Sequence, residues 1–308
     1  MAFSPSEVAF EGFRLARQRP LTVVALSVVG LAAAFATYWV MGASGYMQAV
    51  SQVAAAGPSA DPSAALGLLR PMFLFFAGCA LIGCVSTAIQ AGAIYRGVLR
   101  PQEHGFLGLS FGADELRLLL LGVILVLLGT LVGIALIIVL AIVLSVLGAV
   151  LGASGMVGGA ILMVLLSYVV MGVVALWLGV KMSFAGPATF ARRELSVFAS
   201  WSQTRGNFWN LLGCYFLAFI LALLIGFIMF VVGVTVASVV AGVPFMTAVR
   251  EFFPSKPTGS MDLYSPVRLT YTLVSALFGG LLNMVLMAPA AEAYRQVVQT
   301  GTQADTFN

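Results

Sequence analysis

The chain has 308 residues, 61% of them hydrophobic and 8% charged, with a formal net charge of +4. A soluble domain carries about 25% charged residues, so the composition excludes an ordinary water-soluble globular protein. The basic excess is spread over several segments, which speaks for membrane topology and anionic headgroups and against nucleic acid.

The chain opens with Ser4-Pro5-Ser6-Glu7, the pattern of a capping box with proline at the first helical position. Val8–Arg19 comes next, with Phe10, Phe13 and Ala16 set among Arg14, Arg17 and Arg19. Residues 1–20 are therefore expected to form an interfacial helix, aromatics down and arginines at the headgroups. Pro20 breaks this helix from the first long apolar stretch.

Six stretches then supply the roughly 20 apolar residues a spanning helix needs. They are Leu21–Ala43, Met72–Tyr95, Leu118–Leu147, Val157–Val180, Leu211–Val240 and Leu269–Pro289. The first is too long for a signal-peptide core and is read as a retained span. Leu136–Leu144 is continuously apolar, unlike an alternating β-barrel strand. Backbone in hydrocarbon must satisfy its own hydrogen bonds, so all six are helices. The fold class is all-α: a polytopic membrane helix bundle of six transmembrane helices over residues 21–299, with cytoplasmic interfacial helices. The tail, residues 300–308, is expected to be disordered.

Charge placement sets the expected threading. Arg14, Arg17, Arg19, Arg96, Arg100, Arg117, Lys181, Arg192, Arg193, Arg205 and Arg295 fall on one side; Arg70, Arg250, Lys256 and Arg268 fall on the other. The positive-inside rule then places both termini in the cytoplasm.

Phe198, Trp201 and Arg205 repeat the spacing of Phe10, Phe13 and Arg17, offset by 188. Tyr95-Arg96 and Tyr294-Arg295 mark the ends of the second and sixth stretches, and Phe111 to Arg117 is a looser lead-in to the third. The pattern suggests a three-hairpin parallel repeat, not the inverted repeats of many secondary transporters. On the opposite side, Val243–Val267 carries Phe245, Met246, Val249, Phe252 and Phe253. That spacing suits a second interfacial helix, a cap on the bundle or a docking element.

Ionisable residues within a membrane are the usual sign of function. None falls at mid-depth; Arg96, Arg117, Lys181 and Arg268 stand at span ends, where snorkelling is cheap. Gln90 and Asn283 are the amides within spans, read either as interhelical glue or as a shared intramembrane polar site. Gly129 and Gly133, Gly148 and Gly152, and Gly155 and Gly159 form GxxxG pairs suited to close helix contacts. Cys79, Cys84 and Cys214 read as packing residues, and their spacing fits no zinc site. His104 with Glu103, Asp114 and Glu115 reads as a solvated loop. Neither metal nor cofactor is expected, and no nucleophile–base pair stands out.

The most distinctive segment runs Lys181-Met-Ser-Phe-Ala-Gly-Pro187, Arg192-Arg193-Glu194, then Ser200-Trp201-Ser-Gln-Thr204-Arg205-Gly206-Asn-Phe208-Trp209. With Tyr294-Arg295 it resembles the bacterial membrane domain named after membrane-anchored glycerophosphoryl diester phosphodiesterases. That family's phosphodiesterase activity belongs to a separate soluble barrel with clustered acidic and histidine residues. No such cluster occurs in this sequence, so the resemblance implies the membrane architecture, in a bacterial inner membrane, and not the enzyme activity. By physical reading, Phe198, Trp201, Phe208 and Trp209 anchor the interface. Arg14, Arg17, Arg192, Arg193, Trp201 and Arg205 are candidate contacts for lipid headgroups or a partner on the cytoplasmic face. The expected role is non-enzymatic: a scaffold or accessory subunit engaging membrane lipids, other membrane proteins or its own copies. The alternatives are a transporter of a small molecule or lipid along an uncharged path, and a lipid-modifying enzyme.

Overall fold

The computed structural model describes residues 4–56, 66–103, 109, 112–151, 157–253 and 264–306. The described helices are α1 (Pro5–Ala9), α2 (Glu11–Gln18), α3 (Pro20–Ala43), α4 (Tyr46–Ala56), α5 (Leu69–Leu99) and α6 (Ala113–Leu151). They continue with α7 (Val157–Met182), α8 (Ala185–Arg192), α9 (Ala199–Gln203), α10 (Phe208–Ala241), α11 (Phe245–Phe252) and α12 (Pro266–Thr306). Six of these, α3, α5, α6, α7, α10 and α12, are long and apolar enough to cross a membrane. Six crossings bring both termini to one end of the bundle, hereafter the terminal end.

The spans follow chain order around the bundle. α3 packs on α5, α5 on α6, α10 on α12, and α12 closes back onto α3 while also touching α5. α7 touches its neighbours α6 and α10 only lightly. Between lipid-immersed helices the hydrophobic effect supplies little attraction, so close approach at small residues does the work. Gly280 shows it: a Cβ there would stand 2.2 Å from the Val23 carbonyl oxygen of α3. Ser27 reinforces the contact, donating to the Leu277 carbonyl at 3.2 Å and accepting from the Gly280 amide at 3.3 Å. By contrast a Cβ at Gly129 or Gly133 would meet nothing within 4 Å, so their GxxxG makes no close contact among the described residues. Gly152 and Gly155 lie outside the described residues, as does His104.

The N-terminal segment departs from a flat interfacial helix. It breaks at Phe10 into two short helices that dock on the bundle: α1 on α10 and α2 on α12. Val8, Ala9, Gly12 and Leu15 are the buried face, whereas Phe10 and Phe13 turn outward and meet each other at 6.1 Å. Gly12 permits this, since a Cβ there would lie 2.5 Å from the Val285 Cα. Four residues on, Pro289 lies inside α12, although the apolar stretch read from the sequence ended there. Proline has no N–H, so the Val285 carbonyl loses its helical donor at the place where α2 crosses. The helix continues to Thr306, past residue 300 where a disordered tail was expected. The expected capping box does not close either: the Ser4 hydroxyl meets that of Ser6 at 3.1 Å and caps no backbone amide. The one-turn α1 leaves Glu7 exposed at its end.

The 188-residue offset holds for one pair of lead-ins. α2 starts at Glu11 and α9 at Ala199; α3 starts at Pro20 and α10 at Phe208. The third lead-in fails, because Arg117 already lies in the first turn of α6 and Phe111 is outside the described residues. At the opposite end, α11 caps the bundle. Its Ala248 is buried with Val234, Ala237 and Val267, and Phe252 packs on Phe230 and Tyr271.

Candidate functional site

α7 ends at Met182 and turns directly into α8, which tucks under the terminal end among α5, α6 and α12. Phe184, Ala185, Ala188 and Phe190 are all essentially buried. Ser200 of α9 pins the turn: its hydroxyl donates to the Lys181 carbonyl at 2.6 Å and accepts from the Phe184 amide at 3.1 Å. The base of α7 is thus fixed while the rest leans off the bundle.

Two clefts result. The first, about 440 Å³, lies between α5 and α6, lined by Gly83, Cys84, Thr87, Leu121, Gly122 and Val126 among others. The second, about 530 Å³, lies between α7, α10 and α12, lined by Leu176, Gly179, Leu212, Phe216, Phe219 and Met287 among others. Tyr95 and Ser183 belong to both walls. The linings are almost wholly apolar, and both clefts open on the flank of the bundle. Where they meet, the Tyr95 hydroxyl abuts Gly186, whose Cβ would lie 2.7 Å away. The Tyr215 hydroxyl faces Ser183, yet it is buried without completing a hydrogen bond of ordinary geometry. Ser183 spends its own proton on the Val180 carbonyl, at 2.8 Å.

Directly beyond Tyr95, Arg96 turns inward and pairs with Glu115, both side chains buried. The Gly112 amide donates to the same carboxylate at 3.0 Å. Next to it Arg100 pairs with Asp114 at 3.0 Å, donates to the Phe190 carbonyl at 2.6 Å and covers the Phe190 ring at 4.7 Å. Two expectations are corrected here. Arg96 does not snorkel, because α6 brings a carboxylate to it. Asp114 and Glu115 are not solvated loop residues, because they form the first turn of α6 against α5.

The candidate residues named from sequence are not brought together. Gln90 Nε2 donates to Ser86 on its own helix at 2.7 Å, and Asn283 Nδ2 to the Gly279 carbonyl at 3.0 Å. Neither lines the clefts, and Gln90 Oε1 is buried without a hydrogen-bond partner. Arg14 pairs with Glu11 at 2.7 Å and Arg193 with Glu103 at 3.3 Å. Arg17, Arg192, Arg193 and Arg205 are exposed at the terminal end. Trp201 meets Trp177 edge-on at 5.1 Å, and Lys181 Nζ stands 5.7 Å over the Trp201 ring. The conspicuous Lys181–Trp209 motif is thus largely a brace for the α7–α8 turn. Ser183 lies inside that motif and Tyr95 in the repeated Tyr-Arg pair, but nothing in the sequence marked Tyr215.

Beside the N-terminal helices, Glu11 is buried near Glu292, which pairs with Arg295 at 2.7 Å. Burial first, then the Glu292 carboxylate, hold the Glu11 carboxyl above the usual 4.5; Arg14 and Arg295 offset part of this. A group raised in the folded state contributes stability that is complete below its unfolded value and is lost as pH rises through the folded one. Docking of α2 is therefore expected to strengthen as pH falls through the raised folded value towards 4.5, and to gain nothing further below it. Glu11→Gln, which fixes the neutral form, should raise Tm at about pH 7 and remove this part of the pH profile. An unaltered profile would show that Glu11 does not govern the docking.

Among the described residues no group of three or more His, Cys, Asp or Glu could hold a metal. Six apolar helices around these clefts define a multi-pass integral membrane protein. No family model, no curated protein and no solved structure matches the chain.

Proposed function

We propose that this protein holds membrane lipid in its two lateral clefts and acts without catalysis of its own, as a scaffold or accessory subunit. The observation that carries this is the pair of apolar clefts beside α7, each open on the flank of the bundle and both ending at hydroxyl groups. At membrane depth the molecules that reach such openings are lipid chains. The lining residues include no carboxylate or imidazole that could act as acid or base. The resemblance of the Lys181–Trp209 segment to the membrane domain of glycerophosphoryl diester phosphodiesterases supports a membrane module separable from any enzyme.

The basic residues gathered at the terminal end support its lying in the cytoplasm, and the resemblance of the Lys181–Trp209 segment supports a bacterial inner membrane. A cysteine introduced at Ser255 should then react with an impermeant reagent from outside only; reaction from the cytoplasmic side would reverse the threading.

Lipid holding is tested by native mass spectrometry of the protein extracted into nanodiscs. Wild type is expected to retain lipid, and the double variant Gly83→Phe/Gly179→Phe to lose it. A Cβ at either glycine meets open space, and each glycine lines its cleft, so a side chain added there takes up cleft volume. Equal retention by the variant sinks the proposal. A stoichiometric co-purifying protein would identify the partner of an accessory subunit. Robust lipid or solute flux in proteoliposomes would instead favour the transporter.

A further inference from the structure

The clefts are not independent, and their junction says what fits them. Tyr95 and Ser183 stand in both walls, so a single ligand can occupy both clefts around the base of α7. Along α5 the first cleft runs from Ala80 to Tyr95, about 22 Å at the helical rise. Half of a hydrocarbon core is about 15 Å, so the cleft accommodates an acyl chain of one leaflet. The second cleft is of similar volume. Tyr95 and Ser183 lie at the terminal end of both, with Thr87 midway along the first, and the buried Tyr215 hydroxyl is left without a completed hydrogen bond. An orphan donor of this kind costs free energy until something accepts from it.

Charge points the same way. Lys181 lies two residues before Ser183, its ammonium over the rings of Trp201 and Phe208 at 5.7 and 6.0 Å. Among the described residues no carboxylate forms an ion pair with it. An anionic headgroup gives this cation a net counter-charge, which a zwitterionic one offsets with its own ammonium.

The geometry points to one occupant: a two-chain anionic phospholipid that straddles α7, one acyl chain in each cleft. Its phosphate accepts from Tyr215 beside Ser183, and Lys181 supplies the counter-charge. This rests on the lipid-holding function proposed above and adds the number of chains, the charge of the head and the residues that receive it.

The test uses the full chain, stripped of lipid in detergent and titrated with phosphatidylglycerol, phosphatidylcholine or lysophosphatidylglycerol, with bound lipid counted by native mass spectrometry. One phosphatidylglycerol per chain is expected, bound about tenfold more tightly than phosphatidylcholine, and Tyr215→Phe should cost about tenfold for phosphatidylglycerol. Gly83→Phe alone and Gly179→Phe alone should each abolish phosphatidylglycerol binding while leaving lysophosphatidylglycerol bound through the remaining cleft. Should either glycine variant fail to fold, Val126→Trp plugs the first cleft from α6 and Leu176→Trp the second from α7. Loss in only one of the single variants overturns the straddling arrangement and leaves lipid holding intact. Equal affinity for phosphatidylcholine overturns the assignment of the head. Indifference to every plug overturns both this inference and the function on which it rests.

Discussion

Arg96→Met is expected to destabilise the protein by about 3–5 kcal/mol, because it removes the guanidinium paired with the buried Glu115 carboxylate. The pair is well enclosed: both side chains are within 6% of full burial, and Glu115 also accepts from the Gly112 amide. It sits where Gly92 of α5 passes the Glu115 side chain so closely that a Cβ would be 2.8 Å from Oε1. Glu115→Leu alone should be comparably damaging, since it removes the carboxylate paired with the buried guanidinium. The double variant Arg96→Met/Glu115→Leu removes both charges and should recover most of the loss, as apolar replacement of buried pairs commonly does. Thermal unfolding of the purified protein, read as a double-mutant cycle, checks this. Additive losses in the double variant would mean that the two groups do not stabilise one another.

Gly280→Ala carries the second large effect. One methyl group would collide with the Val23 carbonyl oxygen, which cannot step aside without distorting α3, and with the Ser27 hydroxyl at 2.7 Å, which can rotate away only by giving up its hydrogen bonds. α12 must then move away from α3 and break the Ser27 hydrogen bonds with it. Overpacking of this kind costs about 1–3 kcal/mol, with the stranded hydroxyl and amide adding to it. Gly279→Ala is the internal control: its Cβ meets open space, and alanine is the better helix former. A fall in Tm for Gly280→Ala with none for Gly279→Ala locates the effect in the contact. Equal falls would place it in the helix itself.

The six spans were legible because the physical demand is crude: about 20 apolar residues must close their own hydrogen bonds. Span starts at Pro20 and near Phe208 were readable for the same reason, being marked by a proline and an aromatic pair. What could not be read was orientation about each helix axis. Arg96 looks the same in sequence whether it snorkels or turns inward, and only α6 arriving with Glu115 decides. Gln90 and Asn283 drew attention as amides in apolar surroundings, yet each bonds to its own helix one turn back. Phe10 and Phe13 were expected to point down into the interface from a helix lying flat on the membrane. Gly12, having no side chain, lets α2 approach α12 more closely, and that contact turned the aromatics outward. The clefts depend on α7 leaning off its neighbours, a tertiary property with no local signature.

The order of neighbours has a consequence for biogenesis. A chain threaded from its N-terminus adds each hairpin beside the one already in place, since the spans follow chain order around the bundle. The seam between α3 and α12, however, joins the first span to the last, and both N-terminal helices dock on the final hairpin. The leading segment, through Pro20, therefore lacks its main partners until the end of synthesis, with Gly12 and Glu11 uncovered. It locks into place only when α10 and α12 have been inserted. The N-terminal segment thus works as a completion latch. A ribosome stalled before Pro266 leaves a product with its leading end loose, open to proteases and chaperones that finished molecules escape.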